Sequence, residues 1–129
     1  TDVTGVSWNN PSILDASYGG KFKFSFWVKM EKPDANTTYR FIRFGNDQNA
    51  FSITYNTEDK TFRLTADSGE SIAVNIEITR NEHIFFAVSQ TDKERTFGVG
   101  ILGGQANLST GYYPPIGNIS YLHVGANAV

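Results

Sequence analysis

Hydrophobic and polar residues alternate along the segment from Phe22 to Met30. The hydrophobic positions are Phe22, Phe24, Phe26, Val28 and Met30, and Lys23, Ser25, Trp27 and Lys29 lie between them. A period of two is typical of a β-strand with one face in the core and the other face outward. Trp27 is the exception, because this large aromatic residue falls on the outward side. It either packs beneath a covering segment or presents an exposed ring to a ligand.

Similar short patterns recur about every ten residues, with Gly, Asn and Asp between them. They predict strands over residues 39–44, 50–55, 62–66, 72–78, 84–90, 97–101 and 121–125. Residues 103–118, rich in Gly, Pro and Tyr, are predicted to form a long loop, and residues 91–95 a charged turn. No segment has a helical period of useful length. The pattern therefore predicts an all-β sandwich or barrel of antiparallel strands. Of these we expect the sandwich of two packed antiparallel sheets.

The alternating positions also predict which side chains fill the space between the sheets. The expected core is Phe24, Phe26, Val28, Phe51, Ile53, Leu64, Val74, Ile76, Phe86, Val88, Val99 and Val124.

Composition is that of one folded domain covering residues 1–129, with 40% hydrophobic and 19% charged residues. The net charge of −2 and the lack of a basic cluster argue against nucleic acid as a partner. The absence of cysteine excludes disulfides and thiol nucleophiles. No apolar run approaches the roughly 20 residues that a membrane-spanning helix needs. A chain that starts at Thr1 instead of Met suggests a piece excised from a longer protein.

Several segments resemble the concanavalin A-like lectin/glucanase superfamily, in particular its laminin-G-like branch. The similar segments are 24–29 (FSFWVK), 41–46 (FIRFGN) with 51–53 (FSI), 83–89 (HIFFAVS) with 97–99 (FGV), and 116–117 (IG) with 122–127 (LHVGAN). Their order and spacing carry the resemblance. It implies a jelly-roll sandwich that binds glycans or proteins, without catalysis in most laminin-G-like members.

The chain departs from this family in two places. Residues 83–85 read His-Ile-Phe where the family has Trp-His-His. The chain also ends at Val129, where the family usually adds a further strand. An unpaired edge would invite another chain to pair with it. We therefore expect residues 2–8 to pair with a sheet edge in place of that strand, with Trp8 at least partly buried. The alternative is that a neighbouring domain or subunit adds a strand.

Catalysis is not expected. Glucanases of this superfamily place acidic residues at alternate strand positions, so that two carboxylates face one cleft. Glu77 stands alone on its strand, and Glu58 and Asp59 are neighbours in a turn. The two histidines, His83 and His123, lie near no nucleophile motif.

Calcium is a possible cofactor, since residues 45–49 place several side-chain oxygens at a strand end, with Asp47 as the candidate ligand. The alternative is ordinary turn chemistry, in which Asp and Asn bond nearby backbone amides.

Sugar binding needs an aromatic ring for the apolar face of a pyranose, and polar side chains for its hydroxyl groups. Outward strand positions offer Trp27, Arg43, Arg63, Asn75 and His123, and the loop before Pro114 offers Tyr112 and Tyr113. The Tyr112–Tyr113 loop could equally fold over the end of the sandwich, and the arginines could pair with nearby carboxylates.

The sequence therefore favours a non-catalytic, lectin-like carbohydrate-binding module of an extracellular, cell-surface or virion protein, with a glycan or polysaccharide as its partner. The rival hypothesis is a structural or protein-interaction domain, such as an adhesin, an appendage or a phage decoration module. Exposed aromatic residues in a groove would favour the first hypothesis. A broad apolar patch or a long open strand edge would favour the second.

Overall fold

A computed structural model describes residues 6–9, 22–45, 50–91, 94–112 and 121–128, with side chains for 23–45, 50–91 and 94–111. Within these ranges the strands are β1 (Val6–Asn9), β2 (Phe22–Met30), β3 (Thr38–Gly45), β4 (Ala50–Asn56), β5 (Thr61–Ala66), β6 (Ser71–Asn75), β7 (Glu82–Gln90), β8 (Glu94–Ile101), β9 (Ala106–Tyr112) and β10 (Tyr121–Ala128). The described residues contain no helix that is long and apolar enough to span a membrane.

The strands form two antiparallel sheets. One is six-stranded, in the order β1-β10-β3-β4-β5-β6, and the other is four-stranded, in the order β2-β7-β8-β9. Local hairpins account for the pairs β3–β4, β4–β5, β5–β6, β7–β8 and β8–β9. The predicted all-β architecture of two antiparallel sheets is confirmed.

Aromatic rings join the two sheets. Phe86 on β7 of the four-stranded sheet is fully buried, with its ring centroid 5.1 Å from that of Phe41 and 5.6 Å from that of Phe62 in the opposite sheet. Phe24 on β2 meets Phe44 on β3 edge to face, with 5.1 Å between centroids. These contacts bury large apolar surfaces from both layers at once, which is the main source of stability in a sandwich.

The predicted core is confirmed where side chains are described. Eight of its members are buried: Phe51, Ile53, Leu64, Val74, Ile76, Phe86, Val88 and Val99. Phe24, Phe26 and Val28 are partly buried and pack against them, as expected for side chains on the edge strand β2. The side chain of Val124 lies outside the described residues.

The predicted pairing of the N-terminal segment is confirmed for residues 6–8, and residues 2–5 lie outside the described residues. β1 lies antiparallel to β10, with Val6 opposite Val124 and Asn9 opposite Tyr121. It is an edge strand of the six-stranded sheet among the described residues. The side chain of Trp8 lies outside the described residues, so its burial stays a prediction.

Two parts of the predicted loops and turns are wrong. Residues 106–112 form β9, which pairs along β8 through its backbone and has no second neighbour among the described strands. An edge strand of this kind needs little hydrophobic alternation, and its sequence has little.

Arg95, expected in a charged turn, is only 1% exposed. It shares the inward side of β8 with Phe97 and Val99. Its guanidinium carbon lies 4.1 Å from the centre of the Phe51 ring, and its Nε donates to Oε1 of Gln90 at 2.8 Å. Hydrogen bonding and the ring face together offset the cost of burying this charge.

Replacing Phe86 by Ala is expected to lower the free energy of unfolding by about 3–5 kcal/mol, because it removes a ring that both sheets contact. Phe26→Ala is expected to cost less, since Phe26 is only partly buried. Urea denaturation followed by tryptophan fluorescence measures both losses. A larger loss for Phe26→Ala than for Phe86→Ala would contradict the assignment of Phe86 as the central contact.

Candidate functional site

The outward face of the four-stranded sheet, here called the groove face, carries an apolar surface at its centre. Strand register places its side chains in rows that cross the sheet. The first central row is Trp27, Phe85, Gly100 and Ala106, and the second is Ser25, Ala87, Gly98 and Leu108.

Trp27 is exposed on this face. Its side chain is 57% accessible, and its ring centroid lies 5.0 Å from that of Phe85 on the neighbouring strand, at an interplanar angle of 54°. Of the two roles expected for Trp27, burial beneath a covering segment is therefore wrong. Phe85 supports the indole on one side, and this contact restricts the ring while leaving it open to a ligand.

A groove of about 360 Å³ lies beside this aromatic pair, with Phe85 on one side and Leu108 on the other. Gly98 and Gly100 form its floor. A Cβ built on Gly98 would lie 3.9 Å from the nearest atoms, and one on Gly100 would lie 3.7 Å from Cβ of Ala106. Neither glycine has the positive φ that would exclude a side chain.

The two glycines are therefore not required by backbone conformation or by crowding. Glycine inside a strand lowers its stability, and a common reason for its presence is the close approach of another molecule. Here its effect on shape is direct, because the missing side chains keep the groove open.

A large apolar side chain borders the groove, since Leu108 lines it and is 72% exposed. Leu102, in the turn after β8, is 64% exposed. Asn107 and Val99 also line the groove, although the register of β8 and β9 gives their side chains to the opposite side of the sheet. The lining of the groove is therefore predominantly apolar.

The other predicted site residues lie on the opposite sheet. Arg43 on β3 donates to both carboxylate oxygens of Asp67, at 3.1 and 2.9 Å, and to Oγ of Ser52 at 3.2 Å. Arg63 on β5 forms a similar two-bond ion pair with Asp59. The structure does not bring Trp27 together with these arginines, because they belong to the outward faces of different layers.

Asn75 and His123 also belong to the six-stranded sheet. Nδ2 of Asn75 donates to Oγ1 of Thr61 at 3.2 Å, which links the ends of β6 and β5. The backbone of His123 lies opposite Arg43 and Ser7, and its side chain lies outside the described residues. A direct role of these residues in binding stays a prediction.

The remaining candidates cannot be placed on either face. Tyr112 ends β9, with its side chain outside the described residues, while Tyr113 and Asp47 lie wholly outside them. Calcium at Asp47 therefore stays a prediction. The described residues hold no group of three or more His, Cys, Asp or Glu side chains that could bind a metal ion.

A second concavity of about 550 Å³ lies at the end of the sandwich, beside the loop that follows β2. Its polar groups are engaged with one another. Nζ of Lys60 lies 2.8 Å from Oε2 of Glu77, and the buried phenol of Tyr55 accepts a bond from the backbone N–H of Ile78 at 3.0 Å. Burial raises the pKa of Tyr55, so the phenol stays neutral there.

Sequence reasoning found Trp27 and missed the groove. Phe85 falls in the predicted strand 84–90 with no outward role assigned to it, and Leu108 falls in the predicted loop 103–118. The sequence did contain one indication of the groove. Gly98 and Gly100 alternate with Val99 on the predicted strand 97–101, so that strand has no outward side chains at these two positions. The pairing of β8 with β9, which completes the groove, has no comparable signal.

The ion pair with Arg63 holds the pKa of Asp59 below its usual range, chiefly through the side-chain hydrogen bond. The pair therefore adds stability above about pH 4 that is lost as the pH falls through the lowered pKa of the folded state.

Arg63→Gln is expected to raise the pKa of Asp59, because it removes the charged hydrogen-bond donor. It should lower the free energy of unfolding by less than about 1 kcal/mol, because the pair is largely exposed. A carboxyl NMR titration measures the pKa. Arg43→Gln is the control and should leave Asp59 unchanged, whereas an unaltered Asp59 pKa in Arg63→Gln would contradict the pairing.

No protein-family model matches this chain, and no curated protein matches it. The two outward faces are therefore distinguished by the chemistry of their own side chains. The groove face has an exposed indole and an open groove, whereas Arg43 and Arg63 on the six-stranded sheet are engaged with carboxylates.

Proposed function

We propose that this domain is a non-catalytic carbohydrate-binding module and that a glycan binds on the groove face. The observation that carries the proposal is the exposed Trp27 ring, supported by Phe85 and adjacent to a groove with a glycine floor. The C–H face of a pyranose is flat and apolar, and an exposed indole offers a matching surface.

Gly98 and Gly100 add room for a bound sugar chain. A pyranose stacked on Trp27 would extend along the sheet over the two glycines toward Leu108. Its hydroxyl groups would remain near solvent and the hydroxyl of Ser25, which lies in the same outward row as Gly98 and Leu108. Binding of this kind needs no catalytic group and no metal.

The resemblance of the sequence segments supports a finer proposal about the fold. The sandwich is a concanavalin A-like jelly roll of the laminin-G-like kind, and the domain belongs to an extracellular, cell-surface or virion protein. The two antiparallel sheets and the N-terminal strand beside β10 are compatible with this proposal.

A second candidate function is favoured by the apolar border of the groove. Leu102 and Leu108 are both more than half exposed, and Leu108 lies on the same side of the sheet as Trp27. An exposed apolar patch of this kind also suits contact with another protein, as in an adhesin or a decoration module. Concentration-dependent association, measured by light scattering, would favour this candidate.

Trp27→Ala is expected to weaken glycan binding at least about tenfold, which corresponds to about 1.4 kcal/mol of binding energy. Its free energy of unfolding should change by less than about 1 kcal/mol, because the side chain is mostly exposed. A glycan array identifies the ligand, and calorimetry with that ligand measures the loss. The absence of any bound glycan for the unaltered domain would overturn the proposal.

Gly98→Val is expected to abolish binding without unfolding the domain. The new Cβ fits at ordinary contact distance, the remaining methyl groups project into the groove, and valine suits a strand better than glycine. Ala73→Val is the matched control, since it adds methyl groups at an exposed position on the other sheet. If Gly98→Val binds the glycan as tightly as Ala73→Val, the ligand does not occupy the groove.

A further inference from the structure

Positive charge borders the apolar centre of the groove face. Lys29 and Lys23 lie on the exposed side of β2, two residues after Trp27 and four residues before it. His83 on β7 is the register partner of Lys29 and is exposed as well. Basic side chains therefore lie on both sides of the aromatic platform.

Carboxylates are absent from the same stretch of this face. From the row of Lys23 to the row of Lys29, the described outward positions of the other three strands are His83, Phe85, Ala87, Ser89, Thr96, Gly98, Gly100, Ala106, Leu108 and Thr110. The whole chain has 13 acidic and 11 basic residues. The positive face is therefore a local arrangement and does not reflect the overall charge.

The two lysines also differ from the cations of the other sheet. Arg43, Lys60 and Arg63 each form an ion pair with a carboxylate. Within the described part of the chain, Lys23 and Lys29 form none. An exposed ammonium without a protein partner can pair with an anionic ligand without first breaking an internal ion pair.

We propose that the glycan bound on the groove face is acidic, with a carboxylate or sulfate group that pairs with Lys29. This inference rests on the proposed function. Along a strand, Trp27 and Lys29 lie about 7 Å apart, so an anionic substituent on a ring stacked over Trp27 comes within reach of the flexible lysine side chain. Lys23, about 13 Å from Trp27 in the other direction, meets a charge further along the polysaccharide.

Single-stranded nucleic acid also combines stacking bases with negative charge. The structure favours the acidic glycan, because only two lysines border one exposed indole and the chain carries a net charge of −2. Nucleic-acid binding sites generally have denser positive charge. An oligothymidylate therefore belongs in the test as the competing ligand.

The experiment uses an array on which each acidic glycan stands beside its neutral counterpart. Suitable pairs are sialylated with desialylated glycans, uronates with their methyl esters, and sulfated with desulfated chains. The acidic member is expected to bind at least about tenfold more tightly.

For the best ligand, Lys29→Gln should weaken binding about two- to fivefold, the usual range for one exposed charge pair. The double variant that combines Lys23→Gln with Lys29→Gln should weaken binding further. Raising the salt concentration should weaken binding to the unaltered domain.

Lys60→Gln is the matched control, because it removes one positive charge from the other sheet, and it should leave binding unchanged. Acidic glycans that bind equally well to the double lysine variant would place the anion elsewhere and overturn the inference. Equal binding of neutral and acidic members would overturn it while leaving the proposed function intact. Binding of no glycan at all would overturn both proposals. Tighter binding of the oligothymidylate than of any acidic glycan would replace the inferred ligand with nucleic acid.

Discussion

The packing of Phe86 against Phe41 and Phe62 holds the two sheets together. Phe86 comes from the middle of β7, an inner strand that β2 and β8 flank. Strand alternation then decides the outward face. When Phe86 points inward, Phe85 and Ala87 must point outward, and Phe85 provides the support on which Trp27 rests.

The outward faces of the two sheets differ in which of their exposed side chains have partners within the protein. On the six-stranded sheet, Arg43 and Arg63 are held by Asp67 and Asp59, so their charges are neutralised within the protein. On the groove face, large apolar side chains and exposed lysines remain available to another molecule. This contrast is the physical basis for our proposal that a ligand binds on the groove face. Four of the candidate residues chosen from the sequence belong to the other layer.

The alternating pattern predicted most of the strands and the buried members of the core, because a strand with one solvated face must repeat every two residues. The alternating pattern failed to predict β9, because backbone hydrogen bonds to β8, and not the burial of alternate side chains, define that strand. On β9, Asn107 pairs with Val99 and Ser109 pairs with Phe97, so these two polar residues share the inward side of the sheet with core residues. Nothing in this composition distinguishes β9 from a loop. Arg95 was misplaced for the opposite reason. Its charge suggested a turn, whereas the inward register of β8 and the ring of Phe51 accommodate it in the interior.

The sequence by itself determined which side chains of each strand share a face, and it identified Trp27 as a large aromatic residue on an outward side. Tertiary structure alone decided what lies beside that residue. Phe85 and Gly98 come from strands distant in the chain, and they reach Trp27 because β2 pairs with β7 and β7 pairs with β8. A period of two specifies the faces of a strand but not the order of strands in a sheet, since any strand with the same alternation can hydrogen-bond to the same edge. The groove follows from that order, whereas the positions of Lys23 and Lys29 beside Trp27 follow from the alternation within β2.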